Sequence, residues 1–307
     1  GSENSSSKNT ISISGISSKT SMSNSSIGGS NIFEWKGFAH KEIATSISNA
    51  GNIVSTDIDG DGDLDLITNN STNIIVLSND GSENFTASNV ASGSYSNNSY
   101  IDVKDMDGDG DIDIFVTGFS LLILLNDGNG NFTDGTKTFP DQLGNIGRLN
   151  TSEIYDVNLD GHPDIIGGCE CLSDSSARIW LGPDYTEVIN VRKYEPFTTI
   201  VDVLPINLDK DDSIEIIFSL TGSGSRFYQG SVIEVATFDK INNTLSYETF
   251  YEEDSQDTFL WISWLKAFDH DGDGDLDILA DNKSQGLILE QDESGSFHVI
   301  TKNKKNW

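Results

Sequence analysis

Residues 57–65 read Asp-Ile-Asp-Gly-Asp-Gly-Asp-Leu-Asp. Carboxylates stand at the first, third, fifth and ninth positions of this nonapeptide, with glycine at the sixth. In a tight loop alternate side chains converge and the glycine lets the backbone turn sharply, so the set suits a hard cation that takes six to eight oxygen ligands. Without a cation the arrangement opposes itself, because two carboxylates roughly 4 Å apart repel by about 4 kcal/mol at an effective dielectric of ~20. The candidate ligands are Asp57, Asp59, Asp61 and Asp65, with Asp63 offering its backbone carbonyl and turning its side chain to water.

The pattern recurs at near-constant spacing. Asp105, Asp107, Asp109, Asp111 and Asp113 repeat it around Gly110, and Asp269, Asp271, Asp273, Asp275 and Asp277 repeat it around Gly274. A third variant reads Asp156, Asn158, Asp160, His162 and Asp164 around Gly161. The most divergent copy reads Asn207, Asp209, Asp211, Ser213 and Glu215, with Asp212 in the glycine position. Four or five calcium ions are expected, the Asn207 loop being the weakest site. The EF-hand shares the opening but needs a glutamate at position twelve; here that position holds Thr68, Val116, Gly167, Phe218 or Ala280.

The elements that hold these loops read as strands. Residues 52–56 enter the first loop and 64–68 leave it, both rich in β-branched and aliphatic residues. Residues 73–77 follow, then Asn79-Asp80-Gly81, a hairpin signal, and a fourth strand opening at Phe85. Aromatics at comparable offsets, Phe132, Tyr185, Phe297 and, further on, Phe238, are expected to open the fourth strand of the other units. Four short strands repeated about every 50 residues describe β-propeller blades. Asp-x-Asp-Gly-Asp-Gly-x-x-Asp, the strand after it and the Asn-Asp-Gly…Phe ending resemble FG-GAP/VCBS-type propeller repeats, similar to the calcium-bearing blades of integrin α-subunit heads. The resemblance spans about residues 50–302. It implies calcium ligands at the first, third, fifth, seventh (backbone) and ninth positions of each loop.

The expected fold is therefore all-β: a propeller of four-stranded antiparallel blades, five in number or six, with the calcium loops between the two inner strands. Residues 31–307 read as one propeller domain. Residues 1–30, rich in Ser, Asn and Gly, read as a tether or an added strand. A hairpin is expected within residues 32–46, closing the ring or starting a sixth blade and carrying Phe38.

The net charge of −31 mostly reflects the loops, which hold almost half of the 49 acidic residues. Such a surface does not bind nucleic acid phosphates, and no apolar run is long enough to cross a bilayer. Calcium loops of moderate affinity fill at extracellular calcium levels, so the expected location is outside the cell or at its surface.

Cys169 and Cys171 are the only cysteines and read as a strained bridge, two thiols or a soft-metal site. His40, His162, His270 and His298 are scattered, and no nucleophile motif accompanies them. Tyr100, Trp261 and Trp264, placed around inner strands, serve either as inter-blade packing or as a platform for a sugar. Residues 219–258 hold several aromatics in a long outer loop or an elongated hairpin. Three functions stay open. One is a binding or adhesion module for a glycan or protein. Another is an enzyme on polysaccharides or phosphate esters, which requires a surplus carboxylate or histidine pair at the channel mouth. The third is a subunit of a surface assembly that oligomerises through residues 1–30.

Overall fold

The computed structural model describes residues 12–15, 39–42, 47, 49–82, 84–95, 99–117, 121–136, 149, 151–168, 175–226, 228–258, 261–281 and 285–303. Cys169, Cys171, Phe38 and most of residues 1–46 lie outside them. Among the described residues the chain forms twenty-two strands and one 3-10 turn, Gly224–Arg226. No described helix is long and apolar enough to cross a membrane.

Two short N-terminal strands, β1 (Ser12–Gly15) and β2 (Ala39–Glu42), pair with each other. Of the residues expected to form a hairpin within 32–46, only Ala39–Glu42 is described, and it pairs with Ser12–Gly15; the rest of that expected hairpin lies outside the described residues. The rest of the chain builds five antiparallel sheets, each from four consecutive strands. They are β3–β6 (Ile53–Thr56, Asp65–Asn69, Asn73–Asn79, Phe85–Ser92) and β7–β10 (Tyr100–Lys104, Asp113–Thr117, Leu122–Asn126, Phe132–Asp134). Next come β11–β14 (Thr151–Tyr155, Asp164–Gly168, Ala177–Leu181, Glu187–Val191) and β15–β18 (Thr199–Ile206, Glu215–Thr221, Gln229–Asp239, Thr244–Thr258). The last is β19–β22 (Leu265–Phe268, Asp277–Asp281, Gln285–Gln291, Phe297–Asn303). This is an all-β fold of the propeller class with five blades.

The chain falls into two compact units, Gly1–Asp57 with Asp61–Asn97, and Ile58–Gly60 with Asn98–Trp307. In the first, Leu66, Ile75 and Leu77 bury one face of the β3–β6 sheet together with Ile47. In the second, the first strands β7, β11, β15 and β19 are neighbours in that order, so each sheet fans outward from its first strand. The second strands β8, β12 and β16 are buried along their whole length, and the two-residue period of a strand sends alternate side chains into different cores. Ile165 and Trp180 pack with Phe115 and Met106 of the preceding sheet. Their neighbours Ile166 and Ile179 pack with Phe197, Ile216 and Phe218 of the following one. At about 1.5–3 kcal/mol for each fully buried aliphatic or aromatic side chain, these shared layers bind sheet to sheet. Fourth strands are mostly exposed.

Two expected strand openings differ. Tyr185 precedes β14 and is buried in the turn. Phe238 lies inside the third strand β17, because that strand runs 11 residues and its turn comes later. Residues 219–258 resolve as an elongated hairpin, β17 pairing with β18 from Gln229↔Thr258 to Asp239↔Thr244 across two register shifts.

Candidate functional site

All five acidic loops occupy one position in the topology. The first loop residue directly follows the first strand, and the ninth opens the second: Asp65, Asp113, Asp164, Glu215 and Asp277 begin β4, β8, β12, β16 and β20. The flanking register is equally constant, Thr56↔Asp65, Lys104↔Asp113, Tyr155↔Asp164, Ile206↔Glu215 and Phe268↔Asp277.

Inside the loops the carboxylates fold the backbone around themselves. The first position accepts the N–H of the sixth in four copies: Asp57 from Gly62 at 3.0 Å, Asp105 from Gly110 at 3.0 Å, Asp156 from Gly161 at 2.9 Å and Asp269 from Gly274 at 3.1 Å. The fifth accepts the N–H of the seventh, as Asp109 does from Asp111 at 2.9 Å and Asp273 from Asp275 at 3.0 Å. Oxygens then converge within 4.8 Å in four groups: Asp57, Asp59 and Asp61; Asp105, Asp107 and Asp113; Asp209, Asp211 and Glu215; Asp269, Asp271 and Asp273. Asp57 Oδ1 and Asn207 Oδ1 are buried without a hydrogen-bond donor, which is the state of an oxygen aimed at a cation.

The ninth carboxylate has a second task. Asp113 accepts the N–H of Met106 at 2.7 Å on one oxygen and that of Asn126 at 2.8 Å on the other. Asp164 does the same with Val157 and Gly182, both at 2.8 Å, and Asp277 with His270 at 2.8 Å and Gln291 at 2.9 Å. It therefore ties the loop to the end of the third strand. A carboxylate offers about four acceptor sites, so two such bonds leave room for a ligand role. Burial pushes Asp113 and Asp164 up to about 6, opposed by those same N–H groups.

The seventh side chains do not simply face water. Asp63 lies against Gly81 and Asp111 against Gly128, where an added Cβ would meet a carboxylate oxygen at 2.4 Å and 2.7 Å. A Cβ at either glycine would push that carboxylate aside, and the positive φ of 73° at Gly81 and 75° at Gly128 is what calls for glycine in the Asn-Asp-Gly turn. In the Asn207 loop the first-position amide donates to the Asp211 carbonyl at 2.6 Å. Even so, that loop brings Asp209, Asp211 and Glu215 together.

In a four-stranded meander the loops joining strands one to two and three to four share one end, and the other connections share the opposite end. The candidate aromatics sit at that opposite end. Tyr100 opens β7, and Trp261 and Trp264 both precede β19 rather than straddling it. Trp261 packs on Tyr228, of the β16–β17 connection, with ring centroids 4.8 Å apart. Beside Tyr228 in sequence, Arg226 pairs with Asp254 and covers the Phe197 ring at 5.3 Å.

The first strands also carry a charged set that sequence reasoning missed. Asp102 on β7, Glu153 on β11, Asp202 on β15 and Lys266 on β19 lie on successive neighbouring strands. Burial, then the charges of Asp102 and Asp202, raise Glu153 to about 7, with Lys266 opposing. The Tyr100 phenol is raised by burial and then by Asp202, Glu153 and Asp102. Asp202 accepts the N–H of Leu265 from the next strand at 2.7 Å. The available signal was a lone charge between apolar neighbours, as in Ile101-Asp102-Val103 and Leu265-Lys266-Ala267.

Residues 57–116, covering the first two acidic loops, match the family model of the FG-GAP-like repeat. The matched stretch runs from the first residue of one acidic loop into β8, just beyond the second loop. No curated protein matches the chain. Among solved structures, the chain resembles a lectin of Agrocybe aegerita described as recognising non-reducing terminal N-acetylglucosamine, at 19% identity over 91% of this chain and 74% of that one, with a TM-score of 0.63. That likeness supports the fold. An exo-1,5-α-L-arabinanase from a bovine ruminal metagenomic library (12% identity, 83% of this chain, 97% of that, TM-score 0.41) and the V. cholerae biofilm matrix protein Bap1 (11%, 87%, 64%, 0.39) also match.

Proposed function

We propose that this chain is an exported, calcium-stapled propeller that binds a glycan at the end of its sheets opposite the acidic loops. The observation that carries the glycan reading is the Tyr228–Trp261 pair beside the Arg226–Asp254 ion pair. Aromatic faces stack on the apolar side of a sugar ring, and flanking charged groups hydrogen-bond its hydroxyls. The lectin likeness is consistent with this reading. Calcium is supported by oxygen-only donor sets with buried, donorless oxygens. Asp57, Asp59 and Asp61, Asp105, Asp107 and Asp113, Asp209, Asp211 and Glu215, and Asp269, Asp271 and Asp273 would hold the ions. When bound, the ion supplies the positive charge that lets these carboxylates stay together. Sites of this kind fill at the calcium concentrations found outside cells, which favours an extracellular or surface location.

A glycan array with the wild type and Trp261→Ala tests the proposal. Selective binding reduced about tenfold by the substitution, the scale of one stacking contact, is the expected result. Silence on the array sinks it. A second reading, glycan hydrolysis, is favoured by Glu153, raised to about 7 beside the carboxylates Asp102 and Asp202, which burial also raises; a carboxyl that keeps its proton near neutral pH is what a general acid needs. Turnover on a polysaccharide panel, abolished in Glu153→Gln, would select it.

A further inference from the structure

The fourth residue of every acidic loop adopts a left-handed backbone: Gly60 at φ 74°, Gly108 at 81°, Leu159 at 58°, Lys210 at 61° and Gly272 at 86°. Glycine meets that requirement without strain, whereas a residue with a Cβ carries a cost. Lys210 pays it and turns its ammonium toward the next loop. Although 66% exposed, Nζ donates to the Gly274 carbonyl at 2.7 Å and lies 4.0 Å from Asp275 Oδ1. Those are the sixth and seventh residues of the loop in which Asp269, Asp271 and Asp273 converge within 4.8 Å. A fixed positive charge from one blade therefore stands at the rim of the acidic cluster of its neighbour.

We infer that Lys210 is a resident counter-charge for the Asp269–Asp277 loop, weakening its hold on a divalent cation so that this site fills after the other well-formed loops. The inference rests on the cation reading given above. The ammonium relieves part of the repulsion among the carboxylates when no ion is bound and repels the ion when it arrives. Both effects lower affinity. The same residue belongs to the loop whose first carboxylate and sixth glycine are replaced by Asn207 and Asp212, so loss of ligands in one blade is coupled to attenuation in the next.

The test is a calcium titration by calorimetry of the full chain, comparing wild type, Lys210→Met and Lys210→Gly at low and high salt. Lys210→Gly restores the residue found at this position in three other loops, which protects the comparison against a folding defect. One class of site is expected to tighten by about twofold to sixfold in both variants at low ionic strength, a gain that shrinks toward nothing near ~1 M salt. In an Asp273→Asn background, with that loop disabled, the gain should disappear. Unchanged or weaker titration in both variants, a gain indifferent to salt, or a gain surviving Asp273→Asn would each overturn the assignment. A wild type that takes up no calcium would instead remove the cation reading itself, and the role of Lys210 with it.

Discussion

Asp113 accepts the backbone N–H of Met106, seven residues before it, at 2.7 Å. This bond folds the acidic loop back onto the strand that follows it, and the other Asp113 oxygen reaches Asn126. Asp113→Ala leaves two buried N–H groups unpaired at about 1–3 kcal/mol each. Urea unfolding in chelator should therefore register a loss of about 2–6 kcal/mol, with Asp113→Asn losing less. If both variants match the wild type in chelator, Asp113 has no task beyond ligation.

Removing divalent ions should lower the melting temperature. A native-state site held at about 100 times its dissociation constant adds about 2.7 kcal/mol, and several sites approach the net stability of a whole domain. Calorimetric scans in calcium and in EDTA check this; superimposable scans would refute calcium as a staple.

Glu153 predicts a pH dependence. Its unfolded value is 4.5 and its folded value about 7, so the native state retains a proton that the unfolded chain has lost between those limits. Its contribution is fully present below about 4.5 and is lost as pH rises through about 7. Relative to wild type, Glu153→Gln should gain roughly 1–3 kcal/mol between about pH 5 and pH 8. Parallel urea-midpoint profiles for the two proteins would contradict the assignment.

Arg192 and Glu234 form an ion pair in which the carboxylate is 1% exposed and the guanidinium 45%. Arg192 also lies over the Tyr247 ring at 4.4 Å. Arg192→Ala strands a buried charge and should cost about 3–5 kcal/mol, whereas adding Glu234→Gln should recover part of that loss. A double variant no more stable than Arg192→Ala would show that the cost lies in packing on Tyr247.

The repeat, the loop position and the meander were legible because each rests on local chemistry: alternating acids, β-branched runs and the Asn-Asp-Gly turn. Two features do not follow from local spacing. The sixth-position glycine drew attention, yet the fourth position is left-handed in all five copies, including Leu159 and Lys210, where side-chain identity conceals the constraint. Counting residues from the loop puts Phe238 on a fourth strand, and counting fails because β17 runs 11 residues. The first-strand charges Asp102, Glu153, Asp202 and Lys266 come together only because four sheets converge. Nothing within a single repeat marks them as partners.

Each four-stranded sheet is assembled from one uninterrupted run of chain. During synthesis a blade holds all its pairing partners as soon as its last strand clears the ribosome, and it need not wait for a distant segment to be translated. Growth from the N-terminus then becomes a sequence of short hairpin closures, with little time for an unpaired inner edge to meet another nascent chain.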